Sequence, residues 1–164
     1  MLTQINIRLI ILHAIATWFF IYSFGTLSFL YAADMIDVLR TSTQQEFADY
    51  INESVSPNMG TMVLVTELAA TAGLIVAFLI SFFLSKRNYW PRINAIIILV
   101  LMYLLHRFNW DGWSLVSNIL QSPGRMFTSV FVEYLVNGLL LLTTGLLIFF
   151  LPPIIRFIEN GQRA

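Results

Sequence analysis

Long apolar runs joined by short polar connections dominate this chain. A helix that crosses a bilayer needs about 20 mostly apolar residues. Four stretches answer to that description: Leu9–Ala32, Met59–Leu84, Ile93–Phe108 and Met126–Leu151. The third is short in its purely apolar part, and the fourth ends at Pro152-Pro153, where ring and missing N–H break a helix. Apolar positions within the runs are continuous rather than alternating, which argues against barrel strands. Backbone polar groups in hydrocarbon must be satisfied within their own segment, so the runs are predicted as helices.

The connections carry a second pattern. Between the first two runs, Thr43-Gln44-Gln45-Glu46 has the spacing of a capping box. Phe47, Tyr50, Ile51 and Val55 follow at helical spacing, which predicts a short amphipathic helix at the surface. Between the third and fourth runs, Trp113, Val116, Ile119 and Leu120 share one helical face before Ser122-Pro123-Gly124 breaks it. A second, half-buried interfacial helix is expected there.

Composition says what solvates these runs. The chain is 58% hydrophobic and 11% charged, with a mean hydropathy of +0.77, whereas a soluble domain carries about 25% charged residues. Nine basic and nine acidic side chains cannot clothe 164 residues in a polar shell, so lipid has to cover the rest. The expectation is an all-α integral membrane protein: one domain over residues 1–164, a four-transmembrane-helix bundle with two short outer-surface helices. Arg8 and the length of the run after it mark an uncleaved first span rather than a secretory signal, whose apolar stretch is about 7–15 residues. Cleavage after Ala32-Ala33 is the alternative.

Charge sets the expected sidedness. With the N-terminus inside, six basic residues face inward (Arg8, Lys86, Arg87, Arg92, Arg156, Arg163) and three face outward (Arg40, Arg107, Arg125). The positive-inside bias then places both termini in the cytoplasm; taking the source as a bacterium, the membrane expected is the cytoplasmic (inner) one. Tyr89 and Trp90 would belong to an inner aromatic belt, Trp110 and Trp113 to an outer one. A net charge of zero and the lack of a basic run give no footprint for nucleic acid. The lack of cysteine excludes disulfides, thiol catalysis and Cys-ligated metal. No nucleotide-binding or nucleophile motif occurs, so neither a cofactor nor a metal is expected. Asn52-Glu53-Ser54 matches a glycosylation sequon, a pattern common by chance.

Ionisable residues inside a span are costly and default to a functional reading. Glu67 in the second run and Glu133 in the fourth fall at similar depth, and a pair of acids that met would share a proton or a cation. Asn137 lies one turn from Glu133 and is within reach of it. His106, Arg107 and Asp111 gather at the same end, so Glu67, Glu133 and His106, with Asp111 or Arg125 above, outline a polar cavity. His13 sits near the opposite end, with Thr17 as a neighbour to bond. The bland reading is that these groups glue helices together, for about 0.6 kcal/mol each on average. Ala69, Gly73, Ala77 and Ser81 form a ladder of small residues suited to close helix packing, which makes the second run either central or a docking face. Three functions follow from these residues. The first is a non-catalytic subunit or assembly factor of a membrane complex, partnered by other membrane subunits or by self-association. The second is a proton or cation transporter using the acid pair, and the third an enzyme acting on a lipid-like substrate. Convergence of Glu67, Glu133 and His106 around a cavity favours the latter two; divergence beside an apolar groove favours the first.

Overall fold

The computed structural model describes residues 5–53 and 59–160. Val55, Arg163, Ser54 of the sequon and the side chain of Ile51 lie outside the described residues. Helices α1 (Ile7–Ser28), α2 (Ala33–Thr41), α3 (Gln44–Glu53), α4 (Met59–Arg87), α5 (Ile93–Arg107), α6 (Trp113–Leu120), α7 (Val130–Phe150) and α8 (Pro152–Asn160) follow in order. Single 3-10 turns at Phe29–Ala32 and Gly124–Met126 join α1 to α2 and precede α7. Among the described residues there is no strand.

Three segments are long and apolar enough to cross a membrane: Ile7–Thr41, Gly60–Arg87 and Val130–Phe150. The fourth apolar helix, α5, has 15 residues and reaches about 22 Å at about 1.5 Å per residue. Its end near the α4–α5 turn is here called the short-turn end; the opposite end, with α2, α3 and α6, is the loop end.

The post of the bundle is α1, which packs against α4, α5 and α7. The small-residue ladder of α4 faces it. A Cβ on Gly73 would stand 2.6 Å from the main-chain oxygen of Phe20, so only glycine permits that approach. Ala77 and Ser81 are buried on the same side, and Ala69 is half-buried. The ladder is therefore used within the chain, and the centre of the bundle is α1 rather than the helix that carries the ladder. On its other flank α1 meets α7, where Ser23 Oγ donates to the main-chain oxygen of Gly138 at 2.8 Å.

Polar clips fix both ends of the post. At the short-turn end Asn6 caps α1 by accepting from the Leu9 N–H at 3.1 Å, and its amide donates to the Ile158 carbonyl of α8 at 3.2 Å. His13 Nδ1 lies 2.8 Å from Ser81 Oγ. Thr17, the expected partner, instead donates to the main-chain oxygen of His13, the ordinary back-bond of a helical threonine. Trp90 is buried and Tyr89 is exposed, so only the tyrosine has the accessibility of a belt residue.

The first long connection folds into two helices rather than one. α2 continues beyond the 3-10 turn, and α3 starts at the anticipated box. The Thr43 N–H and hydroxyl donate to Glu46 Oε2 at 2.7 and 2.9 Å, and the Glu46 N–H donates back to Thr43 Oγ1 at 3.4 Å. The Thr43 backbone N–H, with its hydroxyl, holds the Glu46 carboxyl below the usual carboxylate range. Phe47 and Tyr50 pack on Ala32, Ala33, Met35, Ile36 and Val130.

Candidate functional site

The structure divides the ionisable residues of the loop end between two faces of α1. On one face stands Glu133, near the start of α7. Its side chain is 7% exposed and pairs with Arg40 of α2 at 2.5 Å, while Arg40 remains 45% exposed. Asn137, expected to bond Glu133, turns elsewhere. Its Oδ1 accepts from the Gly124 N–H at 2.8 Å and its Nδ2 donates to the Gln121 carbonyl at 3.0 Å. The physical reason is supply: the irregular 121–126 connection presents orphan backbone groups, and a buried amide satisfies a donor and an acceptor at once.

Removing one partner of a fully buried ion pair costs about 3–5 kcal/mol. Arg40 is near half exposed, so screening lowers the figure. Arg40→Ala is expected to cost about 1–2 kcal/mol, and Glu133→Gln less, because glutamine still accepts from the guanidinium. A double-mutant cycle on the two positions measures the coupling, and additive losses would refute it.

The other face carries a cluster centred on Asp111, whose side chain is 4% exposed. Tyr22 of α1 donates its hydroxyl to Asp111 Oδ2, and the Trp113 N–H donates to Oδ1 at 3.2 Å. Trp18 Nε1 donates to the main-chain oxygen of Asp111 at 3.0 Å. His106 Nδ1 lies 3.4 Å from Oδ2, long for an N–O hydrogen bond. The Trp113 ring stacks on Tyr22 with centroids 4.0 Å apart. The chain can double back here because Asn109 and Gly112 take left-handed conformations, φ 54° and 72°, which asparagine and glycine tolerate best. Sequence alone placed Asp111 only at the margin of the candidate site; the aspartate followed by glycine was the available signal of a tight turn.

Glu67 belongs to this second face, on an exposed part of α4. Among the described residues it makes no side-chain hydrogen bond or ion pair, yet it lines a cavity of about 180 Å³ together with Tyr22, Thr26, His106, Trp113 and Gln121. Glu67 and Glu133 do sit at comparable levels. Thr66, next to Glu67, receives a hydrogen bond from Ser28 at 3.1 Å, and Tyr134, next to Glu133, stacks on Phe29. They do not meet, because α1 stands between their helices. Arg125, the other candidate rim residue, donates to Asn118 at 3.0 Å. Among the described residues no three His, Asp or Glu side chains are grouped to hold a metal ion.

Beside the Asp111 cluster runs an open apolar groove of about 580 Å³ between α1, α5 and α6, floored by Trp18, Phe19, Met102 and Leu105. Comparison of the chain with known protein families, curated proteins and solved structures finds no match.

Proposed function

We propose that this chain is a four-span inner-membrane protein, with α5 as the fourth crossing and both termini cytoplasmic, acting as a non-catalytic subunit or assembly factor of a membrane complex. In this reading α3 and α6 are the two outer-surface helices. The observation that carries it is the divergence of the acids. Glu133 is spent on Arg40 and Asp111 on Tyr22 and Trp113, so the groups that acid–base chemistry would need hold helices and turns in place. An apolar groove stands alongside them. Large apolar side chains such as Leu64, Leu68, Ile75 and Phe83 line the outer side of α4, with Glu67 among them as the polar group a partner helix would satisfy. Solubilisation of native membranes in mild detergent should recover the chain together with other membrane subunits. Recovery only as a lone, monodisperse species removes the proposal.

One observation favours the second reading, proton or cation handling: Glu67, His106 and Tyr22 line one cavity. That reading requires Glu67→Gln to abolish flux in liposomes while the fold persists. Absence of flux with the unaltered protein disposes of it.

A further inference from the structure

We infer that the bundle pinches the bilayer beside α5 and α6, so that phospholipid headgroups of the loop-end leaflet descend onto α6. The inference rests on reading α5 as the fourth crossing.

The hydrocarbon layer is about 30 Å thick. With 21 residues, α7 matches it at about 31 Å, and α5 with 15 falls short by about 8 Å. The chain after α5 does not make up the difference. Asn109 and Gly112 reverse it, and Asp111 is tied down to Trp18 and Tyr22. Those two residues lie only about 15 and 21 Å along α1 from Arg8 at the helical rise, inside the apolar run. From there α6 lies against the same stretch, with Val116, Ile119 and Leu120 sharing the groove with Ala14, Ile15 and Phe19.

Exposure shows what α6 meets. None of its residues is buried. Leu115 is 82% and Ile119 72% exposed, and Ser114 and Asn118 on the same short helix are exposed too. A mixed surface of this kind suits the boundary between acyl chains and headgroups, and Trp110, 75% exposed, has the side chain that favours that boundary. Irregular backbone and polar side chains are not tolerated against hydrocarbon. A bilayer meets a short hydrophobic segment by thinning locally. Charge agrees with the assignment: Arg107 and Arg125 are exposed, while the single acid between them, Asp111, is buried in its cluster. The exposed charges of the 107–125 stretch are therefore cationic, suited to lipid phosphate, with Glu67 of α4 the exposed acid of the adjoining cavity, and the apolar groove takes an acyl chain of the lipid that descends.

The chain has no cysteine, so single spin labels can be placed at will. Leu115→Cys and, for reference, Leu139→Cys on α7 are exposed positions whose replacement leaves the core intact. Leu139 adjoins Gly138, which bonds Ser23, so along α1 it stands nearer the loop end than Trp18. In dioleoylphosphatidylcholine vesicles, collision with oxygen and with a water-soluble nickel chelate gives the depth of each label. Pinching predicts that the label at 115 reads headgroup depth, about 8 Å shallower than an unthinned leaflet allows, and that the label at 139 reads hydrocarbon. A label at 115 as deep as that at 139 overturns the inference. So does one shielded from both reagents, the signature of a second copy or another protein over α6. An impermeant maleimide applied to Lys86→Cys and Phe108→Cys, both exposed and outside the left-handed turn positions, separates the two claims. Modification from opposite sides of sealed vesicles keeps α5 as a crossing whatever the depth result, and modification from one side removes the four-span reading itself.

Discussion

Gly73→Leu is expected to abolish folding of the bundle, and Gly73→Ala to destabilise it by about 1–2 kcal/mol. The obstacle at this position is backbone: the added Cβ stands 2.6 Å from the Phe20 oxygen and 3.0 Å from its carbonyl carbon. Overpacking of this kind costs about 1–3 kcal/mol, against a gain of about 1 kcal/mol for alanine over glycine in a helix, so the clash wins. Relief would need α1 to move away from α4, which strains the His13–Ser81 and Ser28–Thr66 contacts. Gly138 supplies the control. There the added Cβ meets Cγ and Cδ2 of the Leu27 side chain, both at 2.5 Å; the side chain must turn about χ1 to clear it, but no backbone has to move, so Gly138→Ala should be milder. Equilibrium unfolding in mixed micelles ranks the three variants, and equal stability of Gly73→Ala and the unaltered protein would refute the close approach of α1 and α4.

Asp111→Ala should rank next, with a loss of about 2–4 kcal/mol. It strands the Tyr22 hydroxyl and the Trp113 N–H, both part-buried, so each falls in the lower part of the about 1–3 kcal/mol that a buried donor left without a partner costs. Asp111→Asn keeps one acceptor oxygen and is expected to lose about half as much. The ring stack of Tyr22 and Trp113 depends on the same anchor, so the near-ultraviolet circular dichroism of those rings should fall in the alanine variant. A change in stability with an unaltered spectrum would mean that Asp111 acts on something other than this turn.

Hydropathy made the helices legible, because hydrocarbon accepts little besides continuous apolar helix. The start of α3 was legible for another reason: a capping box is local, and Thr43 and Glu46 carry all of it. What spacing along one helix cannot show is which groups meet across helices. Glu133 and Asn137 are one turn apart, which suggested a bond between them, yet Glu133 finds Arg40 ninety-three residues away and Asn137 finds the connection at 121–124. The ladder on α4 announced a close contact without naming its partner. The central helix α1 shows no comparable repeat, because it is held by isolated groups such as Asn6, His13 and Ser23. Asp111 looked accessory because its importance comes from Trp18 and Tyr22, which only the fold brings to it.

Everything above turns on α1 being a post enclosed by other helices within hydrocarbon. Single-cysteine scanning along it, with one water-soluble and one lipid-soluble thiol reagent, tests this most directly. Ile11→Cys and Ile15→Cys, whose native side chains are 54% and 43% exposed, should react with the lipid-soluble reagent alone. Cysteines replacing Ala16, Phe20 and Ser23, which are 0%, 2% and 0% exposed, should resist both. Modification of the last three by the water-soluble reagent, at rates matching a loop position such as Gln45, would contradict it.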